Sequence, residues 1–299
     1  MIPDGPTSAG TPLLARPGGR RLAFSDIGDP GGSPVLYCHG FPSSRREALL
    51  LHPTARRLGV RILAPDRPGC GDSDHQAGRT FNDWSADVAA LAEHLGLARF
   101  ALLGVSGGAP YALACAERLA ARIGGCALVC PLGPVYLDEI LSGMAWPSRL
   151  ILGLARKAPR LPPLLFGGPV ARSLARRPDR VEGLRAFQAP AADRDALSHP
   201  EVKAILGGAV RDAMQRGARG ALEDLRLYTS PWSMPLERVQ LQVDLWHGEE
   251  DGTVPIAQAR WYEHHLPYCS AHYLPGEGHY SLPLRHAGAI LGALLRGDT

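Results

Sequence analysis

Four short stretches of this 299-residue chain carry residue types that could do chemistry together. The first is Gly104-Val105-Ser106-Gly107-Gly108, a Gly-x-Ser-x-Gly pattern that follows a continuous apolar run and precedes a helical one. That pattern sets a serine on a sharp strand-to-helix turn, with glycines where side chains would clash. The chain has 35 glycines, so the pattern alone carries little; its strand–turn–helix context is what gives it weight. The turn also aims the first N–H groups of a helix at the serine, a suitable place for developing negative charge. Ser106 is therefore the candidate nucleophile.

The second stretch is His39-Gly40-Phe41-Pro42, at the exit of another apolar run. A turn there can present a backbone N–H to the reaction centre, so the amides of Phe41 and Gly107 are the candidate oxyanion donors. The third is His247-Gly248-Glu249-Glu250-Asp251-Gly252. Of its three adjacent acids, Asp251 precedes a glycine and a helix start near Pro255, which favours it as the one turned inward, with Glu249 and Glu250 left to solvent. The fourth is Pro275-Gly276-Glu277-Gly278-His279, where glycines flank Glu277 and the loop can carry a histidine over the strand ends. The chain order Ser106, Asp251, His279 is that of a nucleophile, the acid that orients the base, and the base.

Such a set needs elements that hold all three residues at one edge of a sheet. Strand-length apolar runs at 35–39, 60–65, 100–105, 126–130, 243–247 and 271–274 alternate with helical patterns at 44–58, 82–95, 108–121, 256–265 and 284–295. Alternation of this kind predicts a mostly parallel sheet covered by helices on both faces, and the unbroken apolar runs suit strands buried on both sides. Segments 11–15 and 21–26, separated by Pro-Gly-Gly, read as an antiparallel hairpin at the sheet edge, which makes eight strands. The alternation stops between about 135 and 237. That stretch is rich in Pro and Arg, has short helical patterns and no strand periodicity, and reads as a helical insertion. The expected organisation is a core of residues 1–134 and 238–299 with a helical cap at 135–237.

Composition narrows the class. A charged fraction of 20%, a hydrophobic fraction of 45% and a formal charge of +3 describe an ordinary globular protein, and the scattered basic residues make no nucleic-acid-binding stripe. Neither a signal peptide nor an 18-residue apolar run is legible, so membrane association is not expected. Six cysteines without framework spacing read as reduced thiols of a cytoplasmic protein; neither disulfides, a metal site nor a cofactor is expected.

Taken together, these four motifs resemble the α/β-hydrolase superfamily, in the broad group that includes proline iminopeptidases, cofactor-free haloperoxidases, epoxide hydrolases and carbon–carbon bond hydrolases. The resemblance covers about 20–134 and 238–296, and the insertion matches the helical cap of those proteins. Asp66-Arg67-Pro68-Gly69-Cys70-Gly71-Asp72-Ser73 is a further match, read as a structural loop braced by Asp66. The resemblance implies a catalytic triad of Ser106, Asp251 and His279 with oxyanion donors at Phe41 and Gly107. It implies a serine hydrolase acting through an acyl-enzyme on an ester or related acyl bond of a small, partly apolar molecule. Serine rather than aspartate at position 106 argues against epoxide hydrolase or haloalkane dehalogenase chemistry. Gly107 stands where proline iminopeptidases resemble a tryptophan pattern, which weakens the aminopeptidase alternative, for which Glu201 or Glu223 would have to bind a substrate ammonium. A lyase or cyclase reaction on a biosynthetic intermediate and a non-catalytic ligand-binding role on the same fold remain open. For the substrate pocket the large aromatics of the insertion are candidates: Trp146, Phe166, Phe187, Tyr228 and Trp232. Oligomeric state is not legible.

Overall fold

A computed structural model describes residues 11–162 and 189–296. The strands in chain order are β1 (Leu13–Ala15), β2 (Arg21–Gly28), β3 (Ser33–Cys38), β4 (Val60–Pro65), β5 (Phe100–Val105), β6 (Ile123–Val129), β7 (Val243–Gly248) and β8 (Cys269–Leu274). They form one eight-stranded sheet in the order β1-β2-β4-β3-β5-β6-β7-β8. Pairings β1–β2 and β2–β4 are antiparallel, and every pairing from β4 to β8 is parallel. The hairpin read at the edge is thus present, and the parallel strands all end on the same side.

Among the helices, α1 (His52–Arg57), α2 (Phe81–His94) and α3 (Ala109–Arg118) connect the first parallel strands. The segment between β6 and β7 contributes α4 (Asp138–Ser142), α5 (Trp146–Lys157), α6 (Ala191–Ser198), α7 (Pro200–Met214) and α8 (Arg219–Tyr228). Among its described residues there is no strand. The chain finishes with α9 (Ile256–His265), α10 (Ser281–Arg285) and α11 (Ala287–Arg296). Two spans read as single helices are divided. Residues 45–51 form a 3-10 stretch before α1, and the run at 284–295 is split at His286 into α10 and α11. None of the helices is long and apolar enough to cross a membrane, among the described residues.

The sheet divides the interior into two layers because successive side chains of a strand point to opposite faces. On β5, Phe100 and Leu102 join one buried cluster, with Trp84, Leu91 and Tyr111 of α2 and α3. Ala101, Leu103 and Val105 join the other, with Ala55 of α1 and Leu291 of α11. α2 begins at a capping box in which Thr80 and Asp83 satisfy each other's free backbone N–H.

α3 must pass close beneath the end of β3 for the turn at Ser106 to sit beside the turn at His39. A Cβ on Gly108 would overlap the carbonyl group of Cys38 and come 2.8 Å from the His39 carbonyl oxygen. Both are backbone atoms and cannot swing aside. Gly108→Ala is expected to destabilise the protein by about 1–3 kcal/mol, the usual range for overpacking. Urea unfolding monitored by circular dichroism would detect this as a lowered midpoint at constant slope; an unchanged midpoint would contradict the close approach.

Candidate active site

Ser106 follows β5 with φ +52°, a left-handed conformation for a residue that carries a side chain. Holding it there costs on the order of 1–3 kcal/mol. Hydrogen bonds and packing hold the turn in place: the Ser106 carbonyl accepts the N–H of Leu132 at 3.0 Å, and a Cβ on Gly104 would meet Ala112 Cβ at 2.8 Å. Gly104 and Gly108 are thus both required, one by α3 and one by β3.

Asp251 lies after β7, buried, while Glu249 and Glu250 are exposed. Its Oδ1 accepts the N–H groups of Thr253 and Val254, each at 2.8 Å. Its Oδ2 is 2.7 Å from Nδ1 of His279. Burial alone would raise the Asp251 pKa, but the His279 imidazole and these hydrogen bonds hold it below the ordinary carboxylate value. A charged Asp251 fixes the proton of His279 on Nδ1 and leaves Nε2 the basic nitrogen. His247 Nε2 meets the Val254 carbonyl at 3.0 Å and lies 3.7 Å from Asp251 Oδ2, and burial lowers its pKa.

Ser106 and His279 line two adjoining cavities, as do Phe41, Pro42 and Tyr280. The larger is walled by aliphatic side chains including Leu132, Met144, Ile151, Leu152, Leu225 and Val254, and Gly107 also lines it. The smaller lies between Tyr37, Glu47, Leu51, Leu206, Val210 and Leu284.

The turn His39–Pro42 is gripped from both sides. Gly40 N–H donates to Glu47 Oε1 at 2.9 Å, and Tyr37 donates to the same oxygen at 2.7 Å. On the other side Arg67, fully buried, donates to the carbonyls of His39 and Gly40, the latter at 2.7 Å from Nη2. His39 Nε2 accepts the Arg67 backbone N–H at 3.2 Å, so its Nδ1 carries the proton that meets the Gly40 carbonyl at 3.1 Å. Burial first, then the Arg67 charge, push the His39 pKa well down, which keeps the ring neutral. Because a trans peptide sets C=O and N–H in opposite directions, two donors on the Gly40 carbonyl turn the Phe41 N–H away from Arg67.

Arg67 is one corner of a buried cluster. Asp224 of α8 pairs with Arg67 at 2.8 Å and with Arg79, and accepts the hydroxyl of Tyr111 at 2.7 Å. Arg79 also donates to that hydroxyl at 2.6 Å. Four residues later on α8, the Tyr228 hydroxyl donates to the Gly107 carbonyl at 2.8 Å. A Cβ on Gly107 would lie 2.7 Å from that hydroxyl oxygen, so the small residue at this position lets α8 close on the serine turn. Motif reading missed Arg67, Asp224 and Asp193, whose carboxylate meets the His279 loop. The sequence marks the loop at 66–73 as a structural one braced by Asp66. Asp66 does accept the N–H groups of Arg45 and Asp72, at 2.7 and 3.1 Å. The burial of Arg67, though, depends on a partner 157 residues away.

The pocket candidates fare differently. Trp146 is 66% exposed, Tyr228 is buried beneath the serine turn, and Trp232 stacks on Tyr262 with ring centroids 6.3 Å apart; none of the three lines either cavity. Phe166 and Phe187 lie outside the described residues. Among the described residues the insertion lines the larger cavity with aliphatic side chains, while Tyr228 and Trp232 pack elsewhere. Cys130, Asp251 and His279 bring donor atoms within 4.8 Å of one another. Two of them are already bonded together, and burial raises the Cys130 pKa well above its ordinary value, keeping it a thiol rather than the thiolate a metal needs.

A parallel sheet whose strand ends bring a left-handed serine turn beside a carboxylate-bound imidazole defines the α/β-hydrolase class. The chain belongs to the alpha/beta hydrolase family, whose model matches residues 35–293. It is similar to a non-heme haloperoxidase from Rhodococcus erythropolis, 24% identical over 83% of this chain and 85% of that one. It is also similar to the dihydrolipoyllysine-residue acetyltransferase component of the acetoin cleaving system of Pseudomonas putida, 33% identical over 44% of this chain; that match spans only 35% of the relative's length. Among solved structures, a thermophilic esterase from Thermogutta terrifontis superposes with a TM-score of 0.68 at 22% identity, over 97% of this chain and 98% of that one.

Asp224 gives this site a pH-dependent anchor. Burial would raise its pKa, but the Arg67 and Arg79 charges outweigh that and hold it at about 2. A folded-state value below the unfolded ~3.9 contributes stability that is complete above that pH and lost as pH falls towards ~2. Asp224→Asn is expected to cost about 3–5 kcal/mol at neutral pH, since it leaves two guanidiniums buried without a counter-charge. Urea unfolding at pH 7 and at steps from pH 5 to 2 would measure both effects; equal stability of wild type and variant at pH 7 would contradict the account.

Proposed function

We propose that the protein is a serine hydrolase that cleaves an ester or related acyl bond of a small, apolar, uncharged molecule. The observation that carries this reading is the 2.7 Å contact between His279 Nδ1 and Asp251, with His279 and Ser106 lining the same cavities. In the proposed reaction Ser106 Oγ attacks the carbonyl carbon while Nε2 of His279 takes its proton. Asp251 holds the imidazole in the needed tautomer and stabilises its charged form. The Phe41 and Gly107 N–H groups receive the oxyanion: Gly107 opens a helical turn, where N–H groups lack intrahelical acceptors, and the hold of Arg67 on Gly40 orients that of Phe41. His279 then returns its proton to the leaving group, and water activated by the same ring releases the acyl chain.

The aliphatic wall of the larger cavity supports an apolar acyl or alcohol portion. The segment 135–237, which supplies Met144, Ile151, Leu152 and Leu225, is the proposed cap. An aminopeptidase reading needs a carboxylate beside the cleavage site. Glu201 is exposed on α7 and Glu223 is engaged with Arg226 at 2.9 Å, so neither lines a cavity; Glu47 lines the smaller one, but its Oε1 already accepts the Gly40 N–H and the Tyr37 hydroxyl. The likeness to an esterase suits an ester substrate. Five of the six cysteines are buried, which suits the cytoplasmic setting proposed for the protein.

Ser106→Ala is expected to abolish labelling by a fluorophosphonate probe, and labelling that persists at another serine would sink the assignment. Asp251→Asn should lower kcat on p-nitrophenyl esters by on the order of 10⁴-fold with little change in KM, because the imidazole then sits in the wrong tautomer. Turnover of proline p-nitroanilide in preference to p-nitrophenyl butyrate would favour the aminopeptidase instead. An unlabelled wild type with no turnover of any activated ester would point to a binding protein.

A further inference from the structure

We propose that Asp193, on helix α6 of the insertion, is a positioning residue for His279, so that the inserted helices set the place of the catalytic base. This inference rests on reading His279 as that base. The Asp193 side chain is buried, and three consecutive backbone amides converge on it. Oδ2 accepts the N–H of His279, and Oδ1 those of Tyr280 and Ser281, all at 2.8 Å. Among the described residues no arginine, lysine or histidine pairs with Asp193. Three N–H donors face its oxygens, and charge-assisted bonds of this kind are about twice as strong as neutral ones.

Gly278 makes the approach possible. A Cβ there would stand 2.5 Å from the carboxyl carbon and both oxygens of Asp193. His279 is therefore held at two points by two buried carboxylates. Asp251 of the core fixes Nδ1 of the ring, and Asp193 of the insertion fixes the main chain from which the ring projects. With both ends set, the reach of Nε2 towards Ser106 is set as well. A shift of α6 would carry the base with it, and a 1 Å misplacement of a catalytic group can cost about 10²-fold in rate.

Asparagine at position 193 keeps the shape but turns an N–H₂ group towards at least one of the three N–H donors. The control is Asp195→Ala. Asp195 lies on the same helix and pairs with Arg285 at 2.8 Å on the surface, joining α6 to α10 without touching the His279 main chain. For Asp193→Asn we expect Ser106 to react with a fluorophosphonate at least ten times more slowly, and kcat on an activated ester to fall while KM stays within about threefold. The downfield imidazole proton shared by His279 and Asp251 should broaden or move. Asp195→Ala should react within about twofold of wild type, as an exposed pair contributes little. Wild-type reactivity in Asp193→Asn, or equal slowing in Asp195→Ala, would overturn the proposal.

Should Asp193→Asn fail to fold, amide exchange in the wild-type chain decides: protection at residues 279–281 supports the anchor, and exchange at the unstructured rate overturns it. If wild-type Ser106 proved unreactive, the functional reading would fail instead. The exchange data and the imidazole resonance need no turnover, and would still report whether Asp193 holds His279.

Discussion

Two guanidinium groups, Arg67 and Arg79, are buried with one carboxylate, Asp224, between them. An isolated charge in such a place is prohibitively expensive, so each member of the cluster requires the others. The remaining positive charge is met by the Tyr111 hydroxyl and by the carbonyls of His39 and Gly40. The cluster therefore joins four segments that are distant in sequence: the loop after β4, the loop before α2, helix α3 and the inserted helix α8. The turn that carries Phe41 takes its orientation from it.

That constraint changes how the insertion is understood. Helices inserted between β6 and β7 of such a sheet need only rest on the strand ends as a separate layer. Here they reach into the core at three points. Asp224 reaches the turn of Phe41 through Arg67, Tyr228 bonds the carbonyl of Gly107, and Asp193 takes the amides of the His279 loop. The glycines agree with this. Gly278 and Gly107 are small because Asp193, Tyr228 and Phe41 press on them, and Gly220 and Gly69 let α8 lie against the loop after β4. The candidate site is thus assembled from both parts of the chain. The aliphatic side chains of α5 and its neighbours face the larger cavity.

Much of the candidate site was legible in the sequence. The Gly-x-Ser-x-Gly turn, the inward Asp251 among three acids and the loop of His279 each sit where an apolar run stops, and such runs mark buried parallel strands. The pocket was not legible. Trp146, Tyr228 and Trp232 are large and apolar, which does not say what each will meet, and Trp146 is exposed. Tyr228 went beneath the serine turn and Trp232 against Tyr262.

By itself, then, the sequence determined the strand and helix order, and the serine, acid and histidine that follow three of the strands. These depend on local pattern: apolar periodicity within a run and the tolerance of a turn for glycine. Only the tertiary structure decided that Arg67 lies beneath the turn of Phe41, that Asp193 meets the amides of the His279 loop, and that aliphatic side chains of the insertion line the larger cavity. A buried ion or hydrogen bond is defined by both partners, and here the partners are 157 and 86 residues apart. No local pattern records that an arginine in one loop will have its charge met by a carboxylate in a distant helix.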